Sequence, residues 1–117
     1  MEKLKKEFGK HYLVELMGCD AEKIKYVKDV KEIFNRSAVK SRATIIEDLY
    51  FQFEPVGVSG VIFIAESHFS IHTWPQDNYV GFDILTCGEM EPKLAIEELK
   101  NSFGAKEMKV KVIPRGF

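Results

Sequence analysis

Between Gly57 and Pro75 the chain reads Gly-Val-Ser-Gly-Val-Ile-Phe-Ile-Ala-Glu-Ser-His-Phe-Ser-Ile-His-Thr-Trp-Pro, two apolar runs parted by Glu66, Ser67 and His68. Short runs rich in β-branched and aromatic residues predict strands, here over 61–65 and 69–74. A polar Glu-Ser-His between two such strands is costly if merely buried, because buried polar groups need partners. Chemistry is the leading compensation for that cost. The stretch therefore asks for a sheet whose two central strands are interrupted or bent at a reactive centre.

The flanking sequence supplies the rest of such a sheet. Residues 1–10 are polar and read as a loose lead-in, and 11–17 predict a first strand ended by Gly18. Asp20 suits a helix N-cap, with Glu22 in the first turn. Ile24, Val27, Val30, Ile33, Phe34 and Ala38 then recur at offsets of three and four, one face of a helix stopping near 37–41. Residues 43–53 predict a second strand, broken by Pro55 and Gly57. Asp77-Asn78 is a turn signal, and 79–87 predict a further strand. Pro92 opens a second helix with Ala95, Leu99 and Phe103 on one face and Gly104 at its C-terminal end. Met108, Val110 and Val112 alternate with lysines in a half-exposed last strand. The predicted order is β-α-β-β-β-β-α-β, an α+β fold with a mainly antiparallel sheet and the helices on one face.

At 117 residues, 45% of them apolar and 30% charged, the chain suits one domain with a real core. A net charge of −1 without a basic stripe gives no reason to expect nucleic acid. No apolar run reaches the ~20 residues of a bilayer span, and the charged start lacks a signal-peptide core. Two cysteines, Cys19 and Cys87, make no disulfide framework, so a reducing, cytoplasmic home is expected. Nothing resembles a phosphate cradle, which argues against pyridoxal phosphate. His68 and His72 have a zinc-like spacing, but along a strand they stand about 13 Å apart, so no metal is expected there. A hydrolase triad of Ser59, His72 and Asp83 lacks the Gly-x-Ser-x-Gly elbow.

Several of these segments together resemble the prokaryotic S-adenosylmethionine decarboxylases, self-cleaving enzymes that carry a pyruvoyl group. The matching text is Gly-Val-Ser-Gly-Val, Glu-Ser-His, Ile-His-Thr-Trp-Pro and Asp-Ile-Leu-Thr-Cys-Gly, with Gly9-Lys10-His11 and Cys19-Asp20 earlier. The resemblance runs from about residue 8 to the end. It implies autocatalytic serinolysis between Glu66 and Ser67, giving a β chain of 1–66 and an α chain of 67–117. Ser67 becomes the pyruvoyl group, which forms a Schiff base with S-adenosylmethionine and yields the aminopropyl donor for spermidine synthesis. His72 matches the processing base, Ser59 the helper hydroxyl in processing, and Cys87 the proton donor to the substrate carbon. Phe53 matches the aromatic that stacks on adenine. The family commonly has a ribose-binding Glu after Thr-Trp-Pro, whereas this chain has Gln76, with Asp77 beside it. Protomers are implied to pair into a four-layer αββα sandwich. His11 and Cys19 are read as structural.

Geometry adds an inference independent of the resemblance. Ser67 and His72 are five positions apart, so in a continuous strand they face opposite sides, roughly 16 Å from each other. Either the strand folds sharply at Glu66-Ser67, or His72 serves a partner protomer's Ser67, and the second is favoured. Two rival readings remain at this point: the same pyruvoyl chemistry on another amino acid such as arginine or ornithine, for which Gln76 speaks, and a dimeric binding module that does not process itself.

Overall fold

A computed structural model describes residues 3–117. Its elements are β1 (Glu7–Met17), α1 (Val27–Lys40), β2 (Thr44–Gln52), β3 (Val58–Ala65), β4 (Ser67–Trp74), β5 (Tyr79–Thr86), α2 (Pro92–Ser102) and β6 (Glu107–Gly116). The predicted order and class hold. The sheet runs β2-β3-β4-β5-β1-β6, with every neighbouring pair antiparallel. β2 to β5 form a meander, and the chain ends return to the other edge.

Alternation along the central strands puts one side chain in two beneath the helices. Phe69, Ile71 and Thr73 of β4 and Val80, Phe82 and Ile84 of β5 are buried there, against Val30, Ile33 and Phe34 of α1 and Ala95, Ile96 and Leu99 of α2. Phe34 meets Phe69 edge-on at 5.8 Å between ring centres, the preferred arrangement of aromatic pairs. The opposite face carries no helix. Leu49, Phe51 and Phe63 stand on it 71%, 60% and 53% exposed.

Several boundaries differ from expectation, β3 starting at Val58 and β4 at Ser67 among them. β1 starts at Glu7, because Lys6 and Phe117 exchange backbone hydrogen bonds and the strand pairs with β6 along its length; residues 1 and 2 of the anticipated lead-in lie outside the described residues. Asp20 caps a single 3-10 turn at Ala21–Lys23, its side chain accepting from the Glu22 N–H. The main helix starts at Val27, whose N–H is met by the Gln52 side chain. Ile24 is buried but precedes the helix, held where Thr73 Oγ1 donates to its carbonyl at 2.7 Å. As expected of a half-exposed last strand, Met108, Val110 and Val112 stay 38–45% exposed on the edge strand β6.

The helices are clamped together by Glu98, which accepts from Lys40 Nζ at 2.6 Å, Arg36 Nε at 3.1 Å and Ser102 Oγ at 2.5 Å. The Lys40 hydrogen bond, foremost among these, lowers the Glu98 carboxyl from 4.5 to about 2. The unfolded chain then takes up this proton at higher pH than the folded one, so the clamp stabilises fully above about 4.5 and is lost as pH falls through about 2. Glu98→Gln should cost ~1 kcal/mol at pH 7. It should also flatten that part of the acid limb in urea midpoints measured against pH.

Candidate active site

β3 and β4 form a tight hairpin with Ile64 paired to Ser67, which leaves Glu66 in the turn. Two-residue hairpin turns normally recruit Gly, Asn or Asp, and the Ala65-Glu66 of this chain are none of these. Ser67 has a φ of +103°, a conformation that non-glycine residues adopt only at a cost of ~1–3 kcal/mol. The strain sits at the residue that the sequence singled out.

β5 ends beside this turn and brings Cys87 with it. Ser67 Oγ and Cys87 Sγ lie 3.1 Å apart, both at the surface. The thiol fits because residue 9 is glycine: a Cβ there would stand 2.3 Å from the Thr86 carbonyl oxygen and 3.0 Å from Cys87 Sγ. A cavity of about 320 Å³ opens alongside, lined by Gly9, Lys10, Tyr12, Thr86, Cys87 and Met90 among others. A strained serine, a thiol in contact with it and a cavity beside that thiol fit a group made from residue 67. Cys19 is the contrasting cysteine, since burial pushes its thiol up to about 11.

The other predicted residues gather at the far end of β4. Register places His72 opposite Ser59, and the Ser59 hydroxyl is hydrogen-bonded to His72 Nδ1. The ring of Phe53, 40% exposed, lies 5.5 Å from that of His72. The Trp74 ring lies 4.2 Å from that of His72 and stacks on Tyr79 at 4.9 Å. Tyr79 in turn donates to Glu15 at 2.7 Å. Gln76 is exposed in the 3-10 turn Pro75–Asp77 that follows. One protomer thus holds two half-sites, Ser67 with Cys87 and Ser59 with His72 and Phe53, joined through Ser67 and His72 of β4. Ser67 and His72 are five positions apart along β4, roughly 16 Å.

Between the halves lies a network that sequence reasoning missed. Asp83 is hydrogen-bonded to His11 Nε2 and Ser70 Oγ, and His68 Nε2 stands 3.7 Å away. His11, read as structural, is tied into a polar network, and Asp83 bonds to it rather than to His72. The signal was the polar residues alternating onto one face of β1, β4 and β5, but only register shows that they meet. His11, His68 and Asp83 bring three ligand-type atoms within 4.8 Å of one another. Arg115 Nη1 lies 3.2 Å from His11 Nδ1, and a guanidinium can only donate. Arg115 thus donates to His11 Nδ1, while His11 Nε2 faces Asp83.

Comparison with known proteins places this arrangement. The family model described as S-adenosylmethionine decarboxylase matches residues 10–116. The S-adenosylmethionine decarboxylase proenzyme of Carboxydothermus hydrogenoformans is 45% identical over 109 residues, 92% of this chain and 86% of that protein. The proenzyme of Pyrococcus furiosus is 41% identical, again over 92% of this chain and 78% of its own length. The crystal structure of the adenosylmethionine decarboxylase from Aquifex aeolicus superposes with a TM-score of 0.89 at 35% identity, covering 96% of this chain and 93% of that one. With the match spanning nearly every residue from β1 to β6, the chain belongs to the S-adenosylmethionine decarboxylase family.

Proposed function

We propose that this chain is the proenzyme of a pyruvoyl-dependent enzyme that decarboxylates S-adenosylmethionine, and that it cuts itself between Glu66 and Ser67. The observation that carries the reading is Ser67 itself, strained at a hairpin tip with its Oγ 3.1 Å from the Cys87 thiol in a chain of this family.

Ser67 Oγ adds to the carbonyl carbon of Glu66, the C–N bond breaks, and the peptide becomes an ester with a free amine at residue 67. A base removes the Cα proton of residue 67, the Cβ–O bond breaks, and residues 1–66 leave as a carboxylate. The dehydroalanine left behind takes up water and loses ammonia. When formed, the pyruvoyl ketone would supply the electron sink for the pair left on the substrate carbon as CO₂ departs. Cys87, already beside residue 67 and exposed, returns a proton to the substrate carbon.

His72 is the processing base: with its Nδ1–H donating to the Ser59 hydroxyl oxygen, the Nε2 lone pair is free to take a proton. It cannot reach Ser67 of its own strand. The bare face of the sheet, with Leu49, Phe51 and Phe63 exposed, supports a shared site in which two protomers stack these faces about a two-fold axis into a four-layer αββα sandwich. A two-fold axis brings the Ser67 end of one sheet over the Ser59–His72 end of the other. Phe53 then stacks on the adenine, and Gln76 takes a ribose hydroxyl without the charge that a carboxylate brings. Among the described residues no helix is long and apolar enough to cross a membrane. A reducing cytoplasm suits the free Cys87.

Substrate choice is tested by release of labelled CO₂. Carboxyl-labelled S-adenosylmethionine should be turned over, with labelled arginine and ornithine left intact; turnover of either amino acid alone would contradict the assignment.

A further inference from the structure

The reading above leaves Thr86 without a task. Thr86 ends β5 on the helix-covered side of the sheet, 9% exposed, and its Oγ1 is the only buried side-chain polar atom among the described residues with no hydrogen-bond partner. Buried hydroxyls nearly always find one. Thr73 on the adjoining strand shows the ordinary outcome, donating to the Ile24 carbonyl at 2.7 Å and accepting from the Val58 N–H at 2.9 Å. A valine at 86 would fill the same space and avoid the desolvation cost. The folded precursor therefore carries this hydroxyl at a loss.

Its position suggests where the loss is recovered. Register pairs Thr86 with Ser67 on one side and with Lys10 on the other. Residues directly opposite in an antiparallel pair share a face, their Cβ atoms ~5 Å apart. The next residue, Cys87, touches Ser67 Oγ at 3.1 Å. The orphan hydroxyl is thus an immediate neighbour of the residue whose backbone breaks.

We infer that Thr86 is a hydrogen-bond donor to the Glu66–Ser67 linkage as it rearranges, unfilled in the intact chain and filled by the oxygen on which negative charge develops. The inference rests on the serine-cleavage reading above. When Ser67 Oγ adds to the Glu66 carbonyl, the C=O electron pair moves onto oxygen and stays there until the C–N bond breaks. The proton lost by Oγ ends on the departing nitrogen, so the shift is balanced without any further reactant. A donor already satisfied in the precursor holds precursor and adduct alike and accelerates nothing. One that gains its partner only in the adduct contributes wholly to the rate.

The test follows cleavage of freshly synthesised chain by mass, for the native sequence, Thr86→Val and Thr86→Ser. Thr86→Val should cleave roughly a hundredfold more slowly, the loss typical of removing one donor to a developing oxyanion. Thr86→Ser, which keeps the hydroxyl, should stay within a few-fold of the native rate. The same changes in an uncleavable Ser67→Ala chain report on folding, where Thr86→Val should melt no lower than its parent. Native-rate cleavage by Thr86→Val would overturn the inference. So would a clear fall in melting temperature for Thr86→Val in the Ser67→Ala chain, since it would mean that the hydroxyl is already bonded. A native chain that never cleaves would instead sink the serine-cleavage reading itself.

Discussion

Ser67→Ala should yield a folded, single chain of 117 residues with no decarboxylase activity. The substitution removes one oxygen, and that oxygen is both the nucleophile of the acyl shift and the leaving group of the elimination. No neighbouring group can take over, because the nearest, Cys87 Sγ, is bonded to a different residue's β-carbon and its departure would not unsaturate residue 67. Loss should therefore reach the assay background. Folding should survive, since Ser67 contacts the Cys87 thiol at the surface and not the core. Gel electrophoresis and circular dichroism on the same sample separate the two effects. A Ser67→Ala chain that still splits at residue 66 would assign the cleavage to another group.

The second large effect concerns a mixture. Ser67→Ala and His72→Ala chains should each remain whole when made alone, and co-expression should restore cleavage of the His72→Ala chain. The argument is one of length: Ser67 and His72 occupy the two ends of β4, roughly 16 Å apart along a strand, and neither end can fold back without breaking its pairing with β3 and β5. A two-fold dimer of the two variants holds one complete site, Ser67 from one chain and His72 from the other. With random pairing in equal amounts, half the dimers are mixed, so about a quarter of all chains should be cut. No cleavage in the mixture would place the base for Ser67 within its own protomer.

The sequence made the order of elements legible because each rests on a local signal. Alternation marks β5 and β6, Pro92 and Gly104 bracket α2, and the three-four spacing marks α1. Gly104 does adopt a positive φ, +68°, just past that helix. The start of α1 was not legible, because Asp20 looks the same whether it caps a 3-10 turn or a long helix, and the choice is made by distant Gln52 and Thr73. The strand order was equally beyond local signals. With it went the Asp83 network, since His11, His68 and Asp83 lie on three strands and meet only through register. The pairing of Ser67 with Cys87, twenty residues on, was reachable only through family resemblance, whereas the separation of Ser67 from His72 followed from strand geometry alone. Thr86 stood in the matching Asp-Ile-Leu-Thr-Cys-Gly text without any sign of its own task, because an orphaned hydroxyl is visible only once its surroundings are built.

The central claim, that the enzyme makes its own ketone by breaking its backbone at residue 67, is tested most directly by the intact mass of freshly purified, active protein. The account predicts two species, residues 1–66 with an ordinary C-terminal carboxylate and residues 67–117 beginning with a pyruvoyl group. It also predicts that borohydride, by reducing that ketone, abolishes CO₂ release. Full activity from an unbroken 117-residue chain, or activity that persists after reduction, would contradict it.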